Sequence, residues 1–219
     1  MKPDLLKQAS TTLRILYPIW AAVGIIGIVY IPSQLVVAGN AELTAHNIAS
    51  NELLFRSGIA ASLVTQLLFI VVVLVLYRFF ELTNKTHALL MVILALVSVP
   101  ISMLNSLNRV AALHQLNNPE QMMFFLNLNR DGITIASIFW GLWLFPLGYL
   151  IYKSGYFPKV IGIAVLIGGV GYTVGSFTKI IAPHMEGVIA ISEYFTFGEI
   201  IWLLWLIIRG PKWLKEQTA

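Results

Sequence analysis

Long apolar runs, broken at intervals by short clusters of polar and charged residues, set the plan of the chain. A helix needs about 20 mostly apolar residues to cross roughly 30 Å of hydrocarbon. Six stretches qualify: residues 15–37, 57–80, 88–108, 132–152, 160–178 and 188–208. Within the second, the run from Leu67 to Leu76 has no polar side chain. Strands of a membrane barrel alternate polar and apolar residues, and these runs do not. Lipid offers no partner to an unpaired amide, so each run is expected to be a helix. The expected fold is all-α: one polytopic membrane domain over residues 1–219, with six transmembrane helices in a bundle.

The first run follows Lys2, Lys7 and Arg14 and precedes Ala38-Gly39-Asn40-Ala41, a loose likeness to a small-residue cleavage site. A secretory leader has an apolar core of about 7–15 residues. Residues 15–37 exceed that, which fits a retained helix better than a leader.

Composition agrees with this plan. Of 219 residues, 58% are apolar and 11% charged, against about 25% charged in soluble domains. Too little polar surface is available to face water. Soluble enzymes, disordered chains and nucleic-acid binders are excluded. The net charge is +4, and its distribution explains it without nucleic acid. With six spans, one face collects Lys2, Lys7, Arg14, Arg78, Lys85, Lys153, Lys159, Arg209, Lys212 and Lys215; the other has Arg56, Arg109, Arg130 and Lys179. The richer face is expected to be cytoplasmic, with both termini on it and its cations against anionic lipid headgroups. Membrane lipids are the expected partners, and the oligomeric state is not readable. The chain has no cysteine, so no disulfide, thiolate metal site or cysteine nucleophile is available.

The turns on the cytoplasmic side are short, at Glu81–His87 and Lys153–Lys159. Longer outer connections are expected from Ala38 to Phe55 and from about Asn105 to Asp131. In the second, Asn118-Pro119-Glu120 has the form of a helix start. The greasy Met122-Met123-Phe124-Phe125-Leu126 that follows is either a short interfacial helix or an early start of the fourth span. Pro18, Pro32, Pro100 and Pro146 should bend or begin helices. Gly171-x-x-x-Gly175 offers a small-residue face for close helix packing. Trp140, Trp143, Trp202, Trp205 and Trp213 lean toward helix ends, as interface aromatics do. No internal repeat is evident.

Polar side chains inside a bilayer are costly, so their placement carries the functional signal. On the third span Ser98, Ser102, Asn105 and Arg109 fall at steps of four, three and four, which is one helical stripe. On the fifth, Tyr172, Ser176 and Lys179 repeat at four and three; on the sixth, Ser192, Thr196 and Glu199 do the same. The second span begins at Arg56 and carries Gln66. Glu199 lies eleven residues past Val188, about 16 Å into the membrane at 1.5 Å per residue. A lone carboxylate there needs a proton or a cation. Arg56, Arg109 and Lys179 are the candidate partners. The bland alternative is an ion pair that only fixes helix packing.

His46, His114, His184 and His87 lack metal-ligand spacing, so no metal is expected. A nucleophile elbow, a phosphate loop and a dinucleotide fingerprint are missing. No cofactor is expected.

Three stretches together resemble a family: Leu53-Leu54-Phe55-Arg56-Ser57-Gly58-Ile59-Ala60; Phe139 to Leu150 continuing through Lys153-Ser154-Gly155-Tyr156-Phe157-Pro158 and Gly162; and Gly198-Glu199 leading to Leu203-Leu204-Trp205-Leu206 and Arg209-Gly210. The chain is similar to the bacterial multi-pass membrane proteins of domain-of-unknown-function family 4386. The resemblance covers nearly the whole chain and implies a small bacterial inner-membrane protein of about six helices. It brings no activity. It includes residues matching Arg56, Gly148, Tyr149, Pro158 and Glu199, which draws attention to Arg56 and Glu199.

The expected function is non-enzymatic: binding, sensing or passing a small molecule or ion in a polar cavity among the second, third, fifth and sixth helices, open to the outside. Arg56, Ser102, Asn105, Arg109, Tyr172, Lys179 and Glu199 would line it, the cations holding an anionic group. One rival is an intramembrane enzyme with Glu199 as general acid or base on a lipid-soluble substrate. Another is a structural partner whose polar stripe serves packing alone.

Overall fold

The protein is described here by a computed structural model covering residues 3–211. Lys2, Lys212, Trp213 and Lys215 lie outside the described residues. No strand occurs among those described. The helices are α1 (Pro3–Gly24), a π-helical stretch (Ile25–Tyr30), α2 (Ile31–Leu35), α3 (Ala41–Ser50), α4 (Glu52–Phe80), α5 (Lys85–Leu113), α6 (Pro119–Leu142), α7 (Leu144–Ser154), α8 (Lys159–Ile181), α9 (Glu186–Phe195) and α10 (Phe197–Ile208). Taken as continuous rods they give six helices long and apolar enough to cross a membrane: Leu5–Leu35, Glu52–Phe80, Lys85–Leu113, Pro119–Ser154, Lys159–Ile181 and Glu186–Ile208. Their outward faces carry exposed Ile15, Val29, Leu67, Leu104, Val160 and Ile208 among others. Apolar exposure on that scale fits lipid rather than water.

The helices run past the apolar limits read from the sequence, most of all at the expected outer connections. Asn40 caps α3 by accepting from the Leu43 N–H, so much of the Ala38–Phe55 segment is helical. The Asn105–Asp131 segment is nearly all helix as well. Asn118 accepts from the Gln121 N–H and Pro119 opens α6, so the greasy run after it is the early start of the fourth span. The reason is local. Polar residues there are bonded between helices, and backbone that can close its own hydrogen bonds continues as helix.

The chain forms two compact units. The first comprises residues 1–18, 70–98 and 134–219, and the second residues 19–69 and 99–133. In the first unit, glycine sets how closely the backbones pack. One face of α8 meets α6 and α7 through Gly162 and Gly169. A methyl group on Gly162 would lie 2.7 Å from the Gly148 carbonyl oxygen, and one on Gly169 would lie 3.0 Å from that of Gly141. The other face carries Gly168, Gly171 and Gly175 toward α9 and α10, where an added methyl on Gly171 would sit 2.7 Å from Phe195 Cβ. Gly198 is the reciprocal position on α10, and a Cβ there would run into the Ala164 carbonyl. Phe79 and Phe80 close the unit with Phe157 and Trp202, the last two edge to face at 4.7 Å. In the second unit the core is Ile31, Leu35, Ala45, Ile48, Phe55, Ile59, Ala112, Leu113 and Met122. There Gly27 packs against Ser62 backbone, with room for no side chain.

These contacts predict a contrast between two glycines. Gly148→Ala places a methyl 2.8 Å from the Gly162 carbonyl oxygen and should cost about 1–3 kcal/mol. Gly187→Ala meets nothing within 4 Å and should change stability little. Thermal unfolding of the detergent-solubilised protein reads both.

Candidate functional site

The two residues with the strongest chemistry, Glu199 and Arg109, belong to different units. Glu199 owes its setting to a break in the last span. The Thr196 N–H bonds the Glu193 carbonyl and the Glu199 N–H bonds the Thr196 carbonyl, both at 3.2 Å. These are i to i+3 bonds, the tighter turn that often marks a functional interruption of a helix. The Thr196 hydroxyl also donates to the Glu193 carbonyl at 2.7 Å. The turn puts Glu199 in the first turn of α10. Gly198 beside it lets α10 lie against α8 backbone.

The partner of Glu199 comes from the first span. Tyr17, 1% exposed, donates its hydroxyl to Glu199 Oε1 at 2.9 Å. One turn earlier, Arg14 donates to the Ile207 carbonyl at 2.9 Å, tying α1 to α10 a second time. Glu199 forms no ion pair among the described residues. Half-buried Tyr172 meets Trp140 edge to face in the same unit.

The three cations expected to serve Glu199 are engaged elsewhere. Arg56 pairs with Glu52 at 2.6 Å, an i to i+4 contact with both side chains about half exposed. Lys179 pairs with Glu193 at 2.9 Å, also exposed. An open groove of about 400 Å³ lies beside that pair at the α9–α10 break, lined by Ala190, Glu193, Tyr194, Thr196 and Phe197.

Arg109 is buried, 5% exposed, and its setting follows from one proline. The Ile31 N–H bonds the Ile26 carbonyl, a π-helical spacing. Pro32, next in line, has no N–H to offer the Gly27 carbonyl. Arg109 supplies it: Nη1 donates to Gly27 O and Ser62 Oγ at 3.0 Å each, and to Gly58 O at 3.4 Å. Its guanidinium carbon lies 5.1 Å from the centre of the Phe55 ring. Nη2 has no hydrogen-bond partner among the described residues.

Asn105 turns to packing. Asn105 Nδ2 donates to the Asn129 carbonyl at 2.8 Å, and Asn129 Nδ2 donates to the Asn105 carbonyl at 3.2 Å. Asn108 Nδ2 donates to Asn105 Oδ1 at 3.0 Å. Gly132 leaves the space that the Asn105 amide fills. The buried polar residues of α5 are instead Ser98, Ser106 and Arg109, and among the described residues the buried Ser102 hydroxyl and Gln66 Oε1 on α4 have no hydrogen-bond partner. No cluster of metal-ligating side chains occurs among the described residues.

Sequence reasoning missed Tyr17 and Ser62. Tyr17 stands one turn from Arg14 and just before Pro18, but an aromatic ring in an apolar run gives no warning that its hydroxyl is used. Ser62 is four residues from Gly58 and bonds its carbonyl, a local habit of serine in helices that hides its second role as acceptor from Arg109.

The chain belongs to the family described as Domain of unknown function (DUF4386), whose pattern it matches over residues 15–210. A protein of Archaeoglobus fulgidus described as "Uncharacterized protein" is 35% identical over 123 residues, covering 56% of this chain and 73% of the relative. No solved structure matches.

The reciprocal asparagine pair gives a stability prediction. Asn105→Ala should cost about 1 kcal/mol, since it strands the Asn129 carbonyl and the Asn108 amide together. Asn108→Ala, which removes one exchangeable contact, should cost less. Equal losses in thermal unfolding would contradict this ranking.

Proposed function

We propose that the protein is a multi-pass protein of the plasma membrane, with both termini cytoplasmic, that binds or senses a small cation or proton at Glu199. One observation carries the reading. A carboxylate within the last span has a tyrosine hydroxyl for a partner and no ion pair among the described residues. A half-buried acid of this kind is retained at a cost in stability, and intramembrane acids commonly mark ion or proton pathways. The break at Thr196 supports the reading, because interrupted helices place ion-binding groups at mid-span in other membrane proteins. Tyr17 sets the carboxylate's orientation, and the Arg14 contact holds the first span where Tyr17 can reach it.

A second reading, that Glu199 serves packing alone, is favoured by the same bond, which joins the first span to the last. The two readings part at Glu199→Gln. A glutamine carbonyl still accepts from Tyr17, so a packing role predicts unchanged stability and no other effect. An ion site predicts that wild-type protein is stabilised saturably by a monovalent cation or by lowered pH, and that Glu199→Gln abolishes the response. Tyr17→Phe should keep the pH response and move its midpoint upward, proton binding strengthening by about tenfold because the hydroxyl that favours the ionised carboxylate is gone. Thermal unfolding across sodium, potassium and pH series measures all three proteins. A wild type indifferent to every cation and to pH overturns the ion-site reading.

The orientation is checked separately. Reporter fusions at the two chain ends should both report a cytoplasmic location, and a fusion in the 182–185 turn should report the opposite side.

A further inference from the structure

Arg109 presents a different problem from Glu199, and the problem lies wholly within the second unit. A guanidinium 5% exposed carries a full positive charge, and no carboxylate lies within ion-pair distance among the described residues. Burying a charge without a counter-charge is among the most costly arrangements a protein can hold. Carbonyl dipoles, one serine and the Phe55 ring offset part of that cost through Nη1 and the guanidinium face. They leave Nη2, with two N–H groups, without a hydrogen-bond partner among the described residues.

The surroundings of Nη2 are specific. It lies over the bare face of Gly58: a methyl group on that glycine would come within 2.9 Å of both Nη2 and Ile31 Cγ2. Ile31 begins α2, a helix of five residues set between the π-helical stretch and the extended backbone at Val36. Nη2 from α5 and Ile31 from the end of the first span thus meet over the same glycine. Ser62 helps to fix the arginine, accepting from Nη1 while donating to the Gly58 carbonyl. The result is one arginine nitrogen held in place and another left with donors to spare.

We propose that Arg109 Nη2, which shares the face of Gly58 with Ile31, is a binding site for a small anion, either an inorganic ion or the phosphate of a lipid headgroup. The anion supplies the missing counter-charge and accepts from Nη2. Ile31 moves aside to admit it, and Ser62 keeps Nη1 on the Gly27 carbonyl so that the arginine does not follow. The site shares no residue with the Glu199 reading and stands or falls without it.

The test uses the full chain in detergent. Thermal unfolding is followed against chloride, nitrate and inorganic phosphate, with gluconate holding the ionic strength constant; native mass spectrometry of the same sample, before and after delipidation, detects a retained acidic phospholipid. A saturable stabilisation by one of the three salts identifies an inorganic ion, and a single retained acidic phospholipid identifies the headgroup. Arg109→Gln abolishes either signal. Gly58→Ala weakens it by about tenfold or more by crowding Nη2, and Ile31→Ala preserves it while lowering the baseline stability. Should Arg109→Gln fail to fold, the Gly58→Ala and Ile31→Ala pair decides the matter, because loss in the first with retention in the second is not a pattern that general destabilisation produces. Wild-type protein that neither responds to the salts nor retains acidic lipid overturns the proposal. So does a Gly58→Ala protein with undiminished binding, or loss of binding in Glu199→Gln.

Discussion

Hydrocarbon cannot accept or donate a hydrogen bond, and each unusual feature of this chain answers that constraint. Ordinary helix satisfies it along most of the chain. Where a proline removes a donor, as Pro32 does, the freed Gly27 carbonyl is met by Arg109 reaching over from α5. Where asparagine enters a helix, it is met by the backbone of its neighbour, as Asn105 and Asn129 meet each other. The serines and threonines of α4 return their hydroxyls to the preceding turn, Ser62 to Gly58 and Thr65 to Ala61. A polar side chain here is first a means of closing the backbone's own hydrogen bonds, and only what is left over is available for chemistry.

Very little is left over, and that is what distinguishes Glu199 and Arg109. One is an acid answered by a phenol, the other a base answered by carbonyls. Both depend on glycine. Gly198 brings α10 onto α8 so that Glu199 falls opposite Tyr17 of α1, and Gly58 leaves the face above which Arg109 Nη2 rests. In lipid there is no hydrophobic gain from joining helices, so close backbone contact supplies the attraction. The glycine seams of α8 therefore hold the first unit together and fix the position of Glu199.

The spans were legible because twenty apolar residues in a row have one physical solution in a membrane. Their ends were not. Apolar count marks where lipid stops, whereas helix stops where caps and turns stop it, so α5 runs on through Asn105, Asn108 and Arg109 to Leu113. The helix start at Asn118-Pro119 was legible because capping is local chemistry. Among candidate residues, spacing identified Arg109 and Glu199 as unusual but assigned the wrong partners to Glu199. Which face of a helix meets which neighbour is decided by where glycines allow approach, and one sequence does not state that pairing. Arg56 shows the same limit: it was expected to line the cavity, and its i to i+4 neighbour Glu52 takes it at the surface.

The π-helical stretch at Ile25–Tyr30 has a consequence for variation in chain length. Such a stretch accommodates one residue more than regular helix of the same rise, so losing a single residue there restores ordinary winding and leaves the flanking faces where they were. The same loss elsewhere in a span would turn every later side chain by about 100°, carrying core residues into lipid. The first span thus contains one tolerant position for an indel, and it is the position that Arg109 guards.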